Sequence, residues 1–187
     1  MEQPFNCPVT EHKDGTYTVS FSVDFGNFTP DDFILIAELA RACQVKNLAV
    51  TATKRISFLN TPAEQVNSLW MSLQNTFGNR LNAPNKTVVC QGEPLCRFAT
   101  SGLSARMIAS SIDGIIRKYP TIRLKIGISN CPRSCAMSHV RDIGISAAAN
   151  GWRFFIGGNG GLIPATAQLV AAGLTDQQLL MLVERFY

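Results

Sequence analysis

Four of the six cysteines stand in two close pairs. The first pair is the C-x5-C of CQGEPLC, Cys90 and Cys96, and the second is the C-x3-C of NCPRSCA, Cys131 and Cys135. Each pair lies in a segment rich in turn-forming residues at the end of a predicted strand. Gathered thiolates bind metal ions or clusters, and cysteine pairs can also form disulfides. The two pairs are therefore the strongest indication of chemistry in this sequence.

Spacing alone leaves several interpretations of these cysteines open. Structural zinc sites favour C-x2-C or C-x4-C, so this spacing fits zinc poorly. Unliganded cysteines can pack as small apolar side chains, but two close pairs argue against that role. Four thiolates that converge from loops can hold a [4Fe–4S] cluster, and Gly92, Pro94 and Pro132 favour such loops. In a chain of this length without a secretion signal, metal binding is favoured over disulfides.

Composition indicates a globular protein with one large domain or two small intertwined ones. The chain has 187 residues, of which 46% are hydrophobic and 16% are charged, and its net charge is +4. No apolar run is long enough to span a bilayer, and residues 1–15 lack the basic start and apolar core of a signal peptide. We therefore expect a cytoplasmic protein without a membrane partner. No block of five or six like charges occurs, so nucleic-acid binding is not indicated.

The first half of the chain predicts the order strand, helix, strand, strand, helix, which resembles a split βαβ unit. Thr29, followed by Pro30 and Asp32, has the pattern of a helix start, and Thr61 with Pro62 repeats it. The predicted strands are 16–25, 47–52 and 55–60, of which 47–52 is expected to be buried, and the predicted helices end near 43 and 77. The polar segment 78–87 is the best linker candidate.

The second half predicts strands that lead into the cysteines. A short strand precedes Cys90, and the alternating segment 122–129 leads into the second pair. An amphipathic helix over 101–119, a hairpin around Asn150-Gly151 and a final helix over 175–187 complete the pattern. The fold class expected is α/β of the α+β type with a mixed sheet.

The segments CQGEPLC, SNCPRSCA, DIGI and IGG follow one another in this order. Together they resemble the siroheme-dependent sulfite and nitrite reductase family. The second pair in that family usually reads SGCPNSC, so here Asn130 replaces Gly and Arg133 replaces Asn. TATKRIS is similar to the T-x-R-Q strand start of the family's ferredoxin-like half-domain, with Arg55 kept and the Gln lacking. The resemblance implies a half-domain over 1–80 and a siroheme and [4Fe–4S] domain over 81–187.

The resemblance also implies cofactors and their ligands. The cluster would be held by Cys90, Cys96, Cys131 and Cys135, and Cys135 would also be the axial ligand of the siroheme iron. Siroheme carries many carboxylates, so its pocket needs cations, for which the candidates are Arg55, Arg97 and Arg133.

Three cations are candidates for binding and activating the substrate, a small oxyanion. They are Arg55, Arg123 and Lys125. Arg123 and Lys125 stand two apart on a predicted strand, which would point both side chains to one face.

The activity implied is that of an oxidoreductase that reduces sulfite to sulfide with six electrons, with reduction of nitrite to ammonia as the close alternative. A non-catalytic electron carrier or siroheme-binding protein is the rival from another class, and a cluster without a tetrapyrrole is a further one. No flavin or nicotinamide fingerprint is present, so an external protein must donate the electrons. Large family members contain the unit twice, and a C2 homodimer would rebuild that symmetry here.

Overall fold

The computed structural model describes residues 9–82, 87–119, 122 and 124–187. Cys7 and Arg123 lie outside the described residues, so the prediction for Arg123 has no structural outcome. Contacts within the chain divide it into two compact units, Met1–Pro84 and Asn85–Tyr187. No helix among the described residues is long and apolar enough to cross a membrane.

The first unit is an antiparallel sheet with two helices. The sheet has the strand order β1-β2-β4-β3. Its strands are β1 (Val9–Glu11), β2 (Tyr17–Phe21), β3 (Asn47–Val50) and β4 (Ile56–Thr61), and its helices are α1 (Pro30–Ala42) and α2 (Ala63–Phe77), followed by a 3-10 turn at Gly78–Arg80. The predicted order of strands and helices in this half is therefore confirmed, and the structure adds β1.

Two local predictions in this unit have different outcomes. Thr29 does form a capping box with Asp32 at the start of α1. Thr61 does not cap α2, which begins after Pro62 with no side-chain cap. Thr61 is instead the last residue of β4, where its hydroxyl donates to the carbonyl of Phe58 at 3.2 Å. The hydroxyl thus serves the strand end and is not available to the helix.

The prediction that the segment 47–52 forms a buried strand is wrong. β3 covers Asn47–Val50 only and lies at the edge of the sheet. Leu48 is 42% exposed and Val50 is 77% exposed. An apolar run therefore has the same sequence pattern whether its strand lies at the centre or at the edge of a sheet.

The second unit contains a mixed sheet of five strands and two helices. One helix follows the first strand of the sheet, and the other follows the last strand. The strand order is β5-β6-β7-β8-β9, with β5, β6 and β7 parallel and the remaining pairs antiparallel. The elements are β5 (Thr87–Val89), α3 (Ala105–Lys118), β6 (Ile126–Ser129), β7 (Ile143–Ala148), β8 (Gly151–Ile156), β9 (Gln168–Leu174) and α4 (Asp176–Phe186). The mixed sheet agrees with the fold class expected from the sequence.

The hairpin predicted at Asn150-Gly151 is present, with Ala148 opposite Gly151 in the β7–β8 register. The strand predicted over 122–129 is shorter than expected, because β6 begins only at Ile126. The core of this unit packs isoleucines of α3 and of the parallel strands beside Trp152, which is fully buried. The indole N–H of Trp152 donates to Asp176 at 2.6 Å and so fixes the start of α4 to β8.

Candidate metal centre

Two neighbouring parallel strands deliver the two cysteine pairs to one place. Cys90 follows β5 directly, and Cys131 follows β6 after one residue. Val89 lies opposite Ile128 in the register, and the amide of Cys90 donates to the carbonyl of Ile128 at 3.0 Å. Since the carboxyl ends of parallel strands meet at one edge of a sheet, both cysteine loops begin side by side.

The two loops enclose a cavity of about 380 Å³ that all four cysteines line. Cys131 is buried, Cys90 and Cys96 are half-buried, and Cys135 is exposed. The remaining lining residues include no aspartate or glutamate, and the only charged residue among them is an arginine: Gln91, Gly92, Leu95, Arg97, Phe98, Ala99, Ser129 and Asn130. The cysteines therefore surround a largely apolar space open on the side of Cys135.

This space fits a cluster better than a single ion. Among the described residues, no group of three or more His, Cys, Asp or Glu side chains is arranged to hold one metal ion. A cubane cluster needs four thiolates around a larger volume, with backbone amides that donate to sulfur. One such amide is present, because the N–H of Asn130 donates to Sγ of Cys90 at 3.0 Å.

A buried hydroxyl network holds the C-x3-C loop against the sheet. Oγ of Ser129 accepts from the amide of Ala136 at 3.2 Å and from the hydroxyl of Ser138 at 3.3 Å. Ser138 in turn bonds Ser134, which has a positive φ of 57°. A Cβ on Gly144 of β7 would overlap the carbonyl of Ser138, so only glycine lets the loop lie on the strand. The second cysteine pair thus stands on a closely packed support.

Two arginines predicted to bind siroheme share one aromatic ring beside the cavity. The guanidinium carbon of Arg133 lies 3.8 Å from the ring centroid of Phe98, and that of Arg97 lies 4.7 Å from it. Both arginines are exposed, and Phe98 is 42% exposed. Cation–π contacts of this kind hold a guanidinium near a fixed position while leaving its N–H groups available to a carboxylate.

The other two described basic candidates, Arg55 and Lys125, are not among the residues that line the cavity. Lys125 stands just before β6, whereas Cys131 follows that strand, so the two are at opposite ends of β6. The amide of Lys125 donates to Asp142 at 2.6 Å. β6 begins after Lys125, so Lys125 does not belong to this strand. The expectation that a shared strand points the side chains of Arg123 and Lys125 to one face therefore no longer applies.

Arg55 belongs to the first unit, where it directly precedes β4. Its Nη2 donates to the carbonyl of Ser20 at 3.0 Å, and burial lowers the pKa of its guanidinium. The structure therefore gathers the four cysteines, Arg97 and Arg133 at one site within the second unit.

Two residues of this site were not identified from the sequence. Phe98 has no motif of its own, and its place directly after Arg97 is the one signal that the sequence offers. Asn130 stands out in the sequence only as a departure from the family pattern. Both residues line the cavity.

Comparisons with known proteins agree with this geometry. The family described as the nitrite and sulphite reductase 4Fe-4S domain matches residues 82–186, and the nitrite/sulfite reductase ferredoxin-like half domain matches residues 10–76. The large subunit of a nitrite reductase [NAD(P)H] from Klebsiella oxytoca is 30% identical over 92% of this chain and 18% of its own length. An assimilatory-type sulfite reductase from Nitratidesulfovibrio vulgaris is 26% identical over 91% of this chain and 78% of its own length.

A solved structure supports the fold. The NirA protein of Mycobacterium tuberculosis superposes with a TM-score of 0.78 over 99% of this chain and 37% of its own, at 17% sequence identity. The chain thus spans about a fifth of the Klebsiella relative and about four-fifths of the Nitratidesulfovibrio relative. The matched family covers more than half of the sequence and includes all four cysteines. The chain therefore belongs to the nitrite and sulfite reductase family, and this membership implies a [4Fe–4S] cluster and siroheme as its cofactors.

Proposed function

We propose that this protein reduces sulfite to sulfide, taking six electrons one at a time from an external donor protein. The balanced reaction is HSO3⁻ + 6 H⁺ + 6 e⁻ → HS⁻ + 3 H2O. The observation that carries the proposal is the cavity shared by Cys90, Cys96, Cys131 and Cys135. Its reduced thiols need a reducing compartment, and we place the reaction in the cytoplasm for that reason.

The four cysteines are proposed to ligate the cluster, and Cys135, which is exposed, is proposed to be the thiolate that would also bind siroheme. When bound, the cluster and siroheme supply the one-electron chemistry and an iron for the substrate. Arg97 and Arg133 would bind carboxylates of siroheme, because the ring of Phe98, which lines the cavity, holds both cations.

Arg55, Arg123 and Lys125 are proposed to bind and orient the oxyanion. Cations close to the substrate stabilise charge that develops on oxygen, and they order the water that carries protons. Lys125 lies at the far end of β6 from Cys131 in its own chain. We therefore propose a C2 homodimer in which the second copy contributes Arg123 and Lys125 to the site. A monomeric mass in light scattering, together with full activity, would contradict the dimer.

Nitrite is the second candidate substrate, because relatives from Klebsiella oxytoca, Bacillus subtilis and Escherichia coli are named nitrite reductases. Sulfite is preferred because the chain spans 78% of the relative named a sulfite reductase but 18–21% of those three. A non-catalytic electron carrier or siroheme-binding protein is the alternative from another class. It is favoured by the lack of the Gln that follows the Arg of the family's T-x-R-Q pattern, here Arg55.

The test begins with the protein purified without oxygen and reconstituted with iron, sulfide and siroheme. We expect tetrapyrrole absorption bands, with one siroheme iron beside four cluster irons, and turnover of sulfite with reduced methyl viologen as donor. Nitrite is assayed in parallel, and faster turnover of nitrite would reverse the substrate assignment. Both cofactors without turnover of either anion would support the carrier.

A double variant, Arg123→Ala with Lys125→Ala, tests the substrate role. It should lose sulfite turnover and keep the colour of both cofactors. Lys118→Ala is the matched control, because Lys118 is an exposed lysine of the same unit that pairs only with Glu184, at 3.3 Å, among the salt bridges of the described residues. Equal activity of the double variant and this control would contradict the role.

A further inference from the structure

Asn130 connects the two cysteine loops through its backbone and its side chain. It is 2% exposed, and its carbonyl accepts from the amide of Thr100 at 2.8 Å. Its side-chain Nδ2 donates back to the carbonyl of Thr100 at 3.1 Å. These two bonds form a reciprocal pair that joins the second cysteine loop to the segment that follows the first.

The other side-chain atom of Asn130 fixes the start of α3. Oδ1 accepts from the amide of Ala105 at 2.7 Å, which satisfies one of the N–H groups left open at a helix N-terminus. Ser104 caps the same end by accepting from Met107 at 3.3 Å. The chain between Cys96 and α3 is therefore anchored at Thr100 and again at Ala105, both times by Asn130.

The first cysteine loop is shaped to accept this side chain. Gly92 has a positive φ of 64°, and a Cβ at that position would lie 3.3 Å from Oδ1 of Asn130. Most residues with a side chain would be strained at this φ and tight against the amide group. The contact places Asn130 directly beneath the loop that carries Cys90 and Cys96.

The backbone amide of Asn130 also acts on a thiolate. It donates to Sγ of Cys90 at 3.0 Å, and hydrogen bonds to sulfur are among the factors that set the reduction potential of an iron–sulfur cluster. Donation to a thiolate stabilises negative charge and so favours the reduced cluster. The position of this amide depends on the side-chain bonds that hold Asn130 in place.

We propose that Asn130 is a positioning residue, which sets the spacing between the two cysteine pairs and aims its amide at Cys90. The inference rests on the cluster binding by these cysteines in the proposed function. It gives a role to a residue at which the chain departs from the usual glycine of the family pattern. A glycine there would keep the backbone amide and carbonyl but lose both side-chain anchors, so the amide would no longer be held toward Cys90.

The test compares wild type, Asn130→Gly and a matched control, each as the full chain reconstituted without oxygen. Asn159→Gly is the control, because Asn159 also makes two side-chain bonds, to Ile163 and Gly161, and does not line the cavity. Iron release to a strong chelator and the midpoint potential of the cluster are measured. Asn130→Gly should release iron about tenfold faster, the usual size of effect for residues behind metal ligands, and its potential should be more negative.

Asn130→Asp separates positioning from mere folding. It keeps the size of the side chain and the acceptor for Ala105, but it removes the donor to Thr100 and adds a negative charge beside the thiolates, so its rate of iron release should be higher than that of wild type. If Asn130→Gly releases iron at the wild-type rate and its cluster has the wild-type midpoint potential, this inference is overturned and the proposed function is not. If Asn130→Gly does not fold, a wild-type rate of iron release and a wild-type midpoint potential in Asn130→Asp overturn the inference. A wild-type chain that assembles no cluster overturns the proposed function together with this inference.

Discussion

The buried ion pair of the first unit differs in kind from the buried polar groups beside the cysteines of the second unit. In the first unit the buried polar group with the strongest partners is ionic: Asp32, at 2% exposure, receives two bonds from Arg80, at 2.8 and 2.9 Å. Arg80 also donates to Asp24 at 2.7 Å. Beside the cysteines of the second unit the buried polar residues are neutral, namely Ser129, Asn130 and Ser138.

This difference follows from what each unit must accommodate. Four thiolates and a cluster bring negative charge, and a buried carboxylate next to them would add repulsion in a medium of low dielectric. Hydroxyls and amides can instead donate to sulfur or support the loops without adding charge. The first unit contributes none of these four thiolates, so an ion pair can fix the 3-10 turn after α2 to the start of α1.

Two tryptophans allow the units to be observed separately. Trp70 lies in the first unit and Trp152 in the second, and the sequence has no other. Variants with Trp70→Phe or Trp152→Phe therefore report by fluorescence on one unit each. This separation matters because a chain of two units need not unfold in one step.

The largest effect is expected from loss of a cysteine ligand. Cys131→Ser should reduce bound iron and acid-labile sulfide to background, because a hydroxyl is a poor replacement for a thiolate at iron. The loss of a ligand that stabilises the folded state should lower the unfolding temperature reported by Trp152. Trp70 should report no change. Full iron content in Cys131→Ser would contradict the assigned site.

Cys43→Ser is the control for this experiment. Cys43 is buried at the end of α1 in the first unit, and burial raises the pKa of its thiol, which disfavours a thiolate. Iron and sulfide should stay at the wild-type level. A loss equal to that of Cys131→Ser would show that the assay reports damaged folding and not ligation.

The hydroxyl network should be the next most sensitive feature. Ser129→Ala leaves the amide of Ala136 without its acceptor, and a buried unsatisfied donor costs about 1–3 kcal/mol of unfolding free energy. Chemical denaturation read from Trp152 measures it. Ser146→Ala is the matched control, because Ser146 is opposite Ser129 in the sheet and its buried hydroxyl has no partner among the described residues. Equal losses of unfolding free energy in Ser129→Ala and Ser146→Ala would contradict a stabilising role of the hydroxyl network.

Acid should weaken the first unit through Asp32. The two bonds from Arg80 lower the pKa of Asp32 from 3.8 to about 2. Because the folded pKa is the lower one, the stabilisation is complete above pH 3.8 and is lost as pH falls toward 2. The loss should be about 2 kcal/mol at most.

The measurement is denaturation read from Trp70 across this range of pH. Asp32→Asn should be less stable than wild type near neutral pH, and it should lack this part of the acid loss. Asp31→Asn removes a neighbouring exposed charge in the same turn and should keep the wild-type pH dependence. An identical acid profile in wild type and Asp32→Asn would refute the assigned role of the ion pair.

The smallest effect is expected at Phe98. Phe98→Leu removes the ring under Arg97 and Arg133, at about 0.5–1 kcal/mol for each exposed cation–π contact. Titration with siroheme, followed by absorption, should show correspondingly weaker binding, with the stability reported by Trp152 unchanged. Phe98→Tyr keeps the ring and should bind as wild type does. Equal affinity of wild type, Phe98→Leu and Phe98→Tyr for siroheme would show that the cation–π contacts with Phe98 do not contribute to siroheme binding.

Much of the fold could be predicted where local signals and tertiary packing agree. The capping box at Thr29 and the hairpin at Asn150-Gly151 are both present, since each depends on residues adjacent in sequence. Predictions failed where position in the sheet decided the outcome. The apolar run of β3 lies at an exposed edge, and Lys125 precedes β6 instead of lying in it. Neither property is encoded by the residues of the segment itself.

The sequence by itself determined the family, because the cysteine spacing and the segments around the cysteines match its pattern, and it named the four cysteines as candidate ligands. Only the tertiary structure decided how those ligands are held. Parallel pairing of β5 with β6 brings the two loops together, and Asn130 and Phe98 then bond across them. Such contacts join residues distant in sequence, and their partners are chosen by strand register and packing. The pattern of residues along the chain specifies neither the strand register nor the packing.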